Sequence, residues 1–201
     1  DYCLYKARGE KIVRANEKKN WTIIRPAITY SFCRYQLTTM EAPVVINRAR
    51  AGKKILLPDA AMDIQATMSW AGDVGVMIAR LAGKKEALGE KFIAATAEYN
   101  TWGEIAEYYN KICGLEAVWV DKEDYIEIIH PEKPLGVRWQ LEYARLFDRE
   151  VDNSKVLSVT GMKQSELMPL YDGLKMEISR TPKDYLWPNN QRMDDYLAAM
   201  K

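Results

Sequence analysis

The plainest periodicity lies mid-chain, where Ile105, Tyr108, Tyr109 and Ile112 recur at helical spacing after "TWGE" and Gly114 follows as a stop. Thr101, three residues before Glu104, supplies the start: a capping box in which each side chain satisfies an end amide of the helix. Residues 2–18 mix Lys, Arg, Glu and Ala with scattered apolar positions and predict another helix, broken at Asn20. "WTIIRPAITY" then reads as a short buried strand, with Pro26 ending regular pairing because proline lacks the backbone donor. Helix followed directly by buried strand is the rhythm of an α/β sheet with parallel strands.

The same reading predicts a helix over 44–51 stopped by Gly52, strands in "KKILLP" and "MDIQATMSW", and a helix over 73–81 capped by Asp73. Strands follow in "EKFIAAT" and "AVWVD", and helices over 123–129, 137–147, 166–178 and 192–200. The front of the chain is therefore α/β and the back mainly helical, with no internal repeat and no low-complexity linker.

Composition narrows the function classes. The 201 residues are 48% hydrophobic, with six Trp and twelve Tyr, enough for a buried core. Twenty-nine basic against 28 acidic residues leave a net charge of +1, which gives no electrostatic reason to expect nucleic acid or an anionic membrane as partner. No apolar run approaches the ~18 residues of a membrane span. Cys3, Cys33 and Cys113 are widely spaced among apolar or aromatic neighbours, which fits packed, reduced thiols in a cytoplasmic protein. A single histidine, His130, and no Cys-x-x-Cys pair argue against a metal site and against a histidine-based hydrolase triad. Neither a Gly-x-Gly-x-x-Gly nor a Walker-type loop is present to cradle phosphates.

Candidate chemistry sits at the start, in "DYCLYK", where Tyr2 and Lys6 stand one helical turn apart on one face. A phenol ordinarily ionises near pH ~10, and an ammonium beside it favours the phenolate. Such a pair can exchange a proton with a substrate hydroxyl or carbonyl while a hydride moves. Tyr5 lacks the partner, because Gly9 stands four residues on. By itself the spacing also fits an ordinary amphipathic helix with a solvated lysine.

The surroundings extend the pattern. "YCLYKARGEKIV", with Glu10 after the lysine, and "WTIIRPAITYS", with Arg25-Pro26 closing a strand, resemble the second half of an extended short-chain dehydrogenase/reductase of the NAD-dependent epimerase/dehydratase family. "MSWAGDVGVMIARLAGKKEALGEKFIAAT", "YNTWGEIAEYYNKICGL" and "FDREVDNSKVLSVTGMK" are similar to later segments of that family, in the same order. The resemblance implies an α/β fold: the C-terminal part of a Rossmann-like enzyme, with residues 1–35 the remnant of the NAD(P)-binding domain. Residues 36–201 would then be a mixed, mainly helical substrate-binding lobe with interleaved Rossmann-side strands.

It also implies roles. Tyr2 and Lys6 would be catalytic and touch the cofactor, NAD or NADP, with Pro26, Ala27, Ile28 and Thr29 near the nicotinamide. Tyr30, Arg48, Trp70 and Arg145 would meet a small-molecule substrate, a nucleotide-sugar, with no metal, nucleic acid or membrane involved. Each has a plainer reading. Arg25 can pair within the fold, "NRARAGKK" can be a solvated basic face, and Trp70 can be core. The family continues to Tyr-Gly-Pro where this chain has Tyr30-Ser31-Phe32. The Gly-rich fingerprint belongs upstream of the Tyr-x-x-x-Lys helix, so this chain alone is expected to be inactive and to bind the dinucleotide weakly. Self-association, or association with the missing half, is expected to cover the open strand edge. The alternative is a non-catalytic ligand- or partner-binding relative of the same fold.

Overall fold

In the computed structural model, which describes residues 2–129, 131, 134–185 and 190–200, the first apolar run becomes strand β1 (Thr22–Pro26). It lies parallel to β8 (Glu90–Ala94), from Thr22 opposite Glu90 to Pro26 opposite Ala94. β-branched Ile23 and Ile24 suit that extended ladder. The helix before it, α1 (Tyr2–Arg14), stops short of the predicted Lys18, and none of its residues is buried.

The chain forms two compact units interleaved along the sequence. The first comprises residues 1–29, 68–97 and 151–168. It contains α1, β1, β8, the strand β7 (Met68–Trp70) paired to β2 (Ile28–Tyr30), α3 (Ala71–Leu81) and α7 (Ser154–Thr160). Its core joins Val74, Met77 and Leu81 from α3, Phe92 and Ala94 from β8, and Val156 from α7. Side chains of Val, Leu and Phe buried in this way each contribute roughly 1.5–3 kcal/mol.

Two expectations change within this unit. Asp73 does not cap α3: the N-cap is Trp70, and Asp73, in the first turn, accepts a hydrogen bond from Met168 N–H at 2.7 Å. The "MDIQATMSW" strand divides into β6 (Gln65–Ala66) and β7. Helix α7 was not anticipated from the sequence; Asp152 accepts from Ser154 N–H at 2.8 Å at its start, and Gly161 ends it at φ 69°.

The second unit comprises residues 30–67, 98–150 and 169–201. Its parallel pair, β5 (Ile55–Pro58) with β10 (Ala117–Val120), buries Ile55, Leu56 and Leu57 completely, as a strand covered on both faces must. Two short antiparallel pairs, β3 (Gln36–Leu37) with β4 (Met40–Glu41) and β6 with β9 (Asn100–Thr101), complete the strands. The helices are α2 (Ala42–Arg50), α4 (Trp102–Cys113), α5 (Lys122–Ile129), α6 (Pro134–Gln140), α8 (Leu170–Arg180) and α9 (Gln191–Ala199).

The predicted capping box is present on α4: Thr101 Oγ1 accepts from Glu104 N–H at 3.1 Å, Glu104 accepts from Thr101 N–H at 2.8 Å, and Gly114 closes the helix at φ 71°. The helix predicted over 137–147 begins at Pro134 and runs into a five-residue π segment, Leu141–Arg145. The one predicted over 166–178 begins at Leu170 instead. No helix among the described residues is long and apolar enough to cross a membrane.

Candidate active site

The first unit carries the proton-transfer candidates. On α1 the Lys6 ammonium lies 5.5 Å from the centroid of the Tyr2 ring, so the i, i+4 spacing does bring phenol and cation together. Both side chains face solvent in this chain, Tyr2 at 72% exposure. Cys3, expected to pack, is exposed as well, and all three cysteines are free thiols.

Two turns further along, Glu10 meets β1. Its carboxylate accepts from Arg25 Nε at 2.8 Å and from Arg25 Nη2 at 2.5 Å, a two-point fork. That hydrogen bonding holds the Glu10 carboxyl below the usual carboxylate range. Arg25 thus pairs within the fold, the plainer of its two readings. Pro26, Ala27, Ile28 and Thr29 follow at the end of β1 and along β2, partly to fully exposed.

Trp70 stands on β7, the strand paired to β2, and is half-buried. Its ring lies over Gly72 so closely that a Cβ there would collide with it. From the adjoining Ser69 runs a polar network that sequence reasoning missed, buried at Ser69, Thr96 and Asn153. Ser69 Oγ accepts from Thr96 N–H at 2.8 Å, and Asn153 Nδ2 donates to Ala95 O at 2.9 Å and to Gln164 Oε1 at 2.8 Å. Asp73 is 7% exposed, and burial pushes its carboxyl up despite the bond from Met168.

The second unit carries the remaining candidates. Tyr30 is buried at 1% exposure. Arg48, expected either to grip a diphosphate or to lie on a solvated basic face, is itself 1% exposed. Its Nη2 donates to Asp194 at 2.9 Å, and Lys53 shares that carboxylate. Arg50 donates to the carbonyl of Thr181 at 2.9 Å, so both arginines fasten the last segment of the chain to α2. Arg48 also lines an open cavity of about 720 Å³, together with Lys54, Gln191 and Asp195.

Arg145 is in a different state. It ends the π segment, 8% exposed, with Nε donating to Thr38 O at 2.8 Å and Nη2 to Gln36 Oε1 at 2.9 Å. The Trp102 ring lies 6.0 Å from its guanidinium carbon, and Trp102 Nε1 donates to the Arg145 carbonyl at 3.1 Å. No carboxylate among the described residues is within ion-pair distance. Burial, with Arg149 adding to it, lowers the Arg145 pKa to about 10.

Thr38 supports this arrangement at a cost. It is fully buried, and its φ of 53° is a conformation β-branched residues rarely adopt. Its hydroxyl and that of Thr39 meet the Tyr125 hydroxyl at 3.1 and 2.6 Å. A strained threonine carries no sequence signature, so nothing in the chain pointed to Gln36 and Thr38. His130 lies outside the described residues, and no group of metal-ligating side chains occurs among those described.

For a nicotinamide dinucleotide the fit is partial. A phenol and an ammonium on one exposed helix face suit ribose hydroxyls and a reacting oxygen, while no glycine-rich loop is present for the pyrophosphate. No family model and no curated protein matches the sequence. Solved structures do match. Pal from Bacillus thuringiensis aligns with 90% of this chain at 17% identity and TM-score 0.52. UDP-glucuronic acid 4-epimerase from Bacillus cereus, solved with UDP-glucuronic acid and NAD, aligns with 79% at 16% identity and TM-score 0.54. UDP-glucose 4-epimerase from Thermus thermophilus, solved with NAD, aligns with 80% at 16% identity and TM-score 0.55. This chain spans 46%, 44% and 46% of those chains. The fold is that of the C-terminal part of such Rossmann-like epimerases.

Proposed function

We propose that the full-length protein is an NAD(P)-dependent epimerase, dehydratase or reductase acting on a nucleotide-activated sugar. The observation that carries this reading is the Tyr2–Lys6 pair, held one turn apart on α1 in a chain with the epimerase fold. When bound, the dinucleotide supplies a hydride acceptor and donor. Tyr2 takes the proton from the substrate hydroxyl and returns it to the carbonyl oxygen, and Lys6 hydrogen-bonds the ribose. Pro26 to Thr29 border the nicotinamide end. Arg145, a buried cation with no carboxylate in ion-pair range among the described residues, suits an anionic part of the substrate. Tyr30, Arg48 and Trp70 stay candidates for substrate contact, each within its own unit.

Because α1 has no buried residue and the chain lacks a phosphate cradle, the reading places the activity in a longer protein and not in these 201 residues alone. The test is conversion of UDP-glucose, UDP-glucuronic acid and related UDP-sugars by the full-length protein with NAD or NADP. Formation of an epimer, a dehydrated sugar or a reduced product is expected for at least one of them. An absence of turnover across the panel, in protein shown to bind the dinucleotide, would favour the non-catalytic relative instead.

A further inference from the structure

Helix α1 presents a mechanical problem. It carries Tyr2 and Lys6, and among the described residues what ties it to the strand that follows is polar, with none of its own residues buried in this chain. Among those residues, the side-chain hydrogen bonds from α1 to another element are the two from Arg25 to Glu10. Glu10 stands one turn beyond Lys6 and two beyond Tyr2, on the same face. Arg25 is held in the β1–β8 ladder opposite Ile93, immediately before Pro26 and Ala27. We propose that the Glu10–Arg25 fork is the positioning device of the site, setting α1 against the strand end at Pro26–Thr29.

The geometry makes this a sensitive control point. A guanidinium that donates two parallel bonds to one carboxylate fixes distance and orientation together, which a lysine could not do. Eight residues separate Glu10 from Tyr2, about 12 Å along the helix, so a tilt of roughly 5° at the fork moves Tyr2 by about 1 Å. Displacement on that scale costs ~100-fold in a reaction that depends on oriented groups. An exposed ion pair ordinarily contributes little to stability. The fork is therefore expected to show in turnover far more than in melting temperature. Glu10 and Arg25 act through Tyr2 and Lys6 and are positioning residues.

The inference rests on the proposed Tyr2–Lys6 chemistry, and the experiment separates the two. Glu10→Gln, Arg25→Lys and the charge-swapped double variant Glu10→Arg/Arg25→Glu are made in the full-length protein, with Tyr2→Phe alongside. NAD affinity, melting temperature, kcat on an accepted UDP-sugar and amide exchange along α1 are measured. Each single variant is expected to lower kcat by ~10- to 100-fold, with α1 exchanging faster, melting temperature nearly unchanged and NAD binding within a few fold. The swapped pair is expected to recover at least part of the lost turnover. Wild-type kcat in both single variants, or unchanged exchange along α1, would overturn the proposal. Wild-type turnover in Tyr2→Phe would instead remove the chemistry on which it rests, whatever the fork variants do.

Discussion

Arg145 is 8% exposed with no carboxylate in ion-pair range among the described residues, and the Glu41 carboxylate acts on its guanidinium from beyond that range, bonded to the same Gln36 side chain. Its donors satisfy the Thr38 carbonyl and the Gln36 side chain, which holds the strained Thr38 turn in place. Arg145→Lys keeps a charge but cannot serve both acceptors with one rigid fork. Leaving a buried carbonyl without its donor costs about 1–3 kcal/mol, and urea unfolding of the variant is expected to show a loss in that range. Under the proposed function the same change weakens substrate affinity by ~10-fold or more with kcat less affected; equal affinity in wild type and variant would take Arg145 out of the substrate site. On α1, under the same proposal, Lys6→Met is expected to raise the NAD dissociation constant of the full-length protein by ~10- to 100-fold, the value of a charged hydrogen bond. Titration of NADH by fluorescence checks this.

At the level of elements, capping and close packing make separate claims. Thr101→Ala removes one half of the α4 capping box and is expected to cost about 1 kcal/mol, read as a fall in melting temperature. Gly72→Ala drives a methyl into the Trp70 ring and is expected to shift the tryptophan fluorescence. Asp73 gives a pH dependence. Burial raises its folded pKa above the unfolded value, so the folded state binds the extra proton and this group's contribution falls as pH rises from the ordinary carboxylate range through the folded pKa. Asp73→Asn keeps an acceptor for Met168 N–H and is expected to flatten the pH dependence of stability over that window. An unchanged profile in the variant would place the effect elsewhere.

The α4 cap and the Gly114 stop were legible because each rests on chemistry between residues close in sequence; the strand at β1 was legible too, but its burial was not, since only Ile23 is buried, and Pro26 keeps its place in the ladder opposite Ala94. The role of Asp73 was not, because its partner is Met168, on a segment 95 residues away. The Tyr2–Lys6 and Glu10–Arg25 residues could be read from spacing and resemblance, while the two-point fork between the latter pair is a tertiary fact. Arg48 shows the opposite failure. In "NRARAGKK" it reads as a surface charge, and only the distant Asp194 explains its burial.

For the whole molecule, the unpacked α1 and the β1 strand, paired only through β8 among the described residues, leave apolar side chains and a ladder edge open in this chain. Tyr2, Tyr5 and Ile12 are exposed at 72%, 66% and 74%. Surfaces of this kind associate in water. The 201-residue chain by itself is expected to self-associate and bind an apolar dye; a monodisperse monomer with low dye binding would contradict that. Titrated with NADH, it is expected to show no saturable micromolar binding.

Under the proposed function the Tyr2 hydroxyl moves a proton at the reacting oxygen. The most direct measurement is kcat of the full-length protein and its Tyr2→Phe variant on the same accepted UDP-sugar, with NAD affinity measured in both. A fall in kcat of ~100-fold or more at closely matched NAD affinity is the predicted result. A variant that turns over within twofold of the wild type would contradict it.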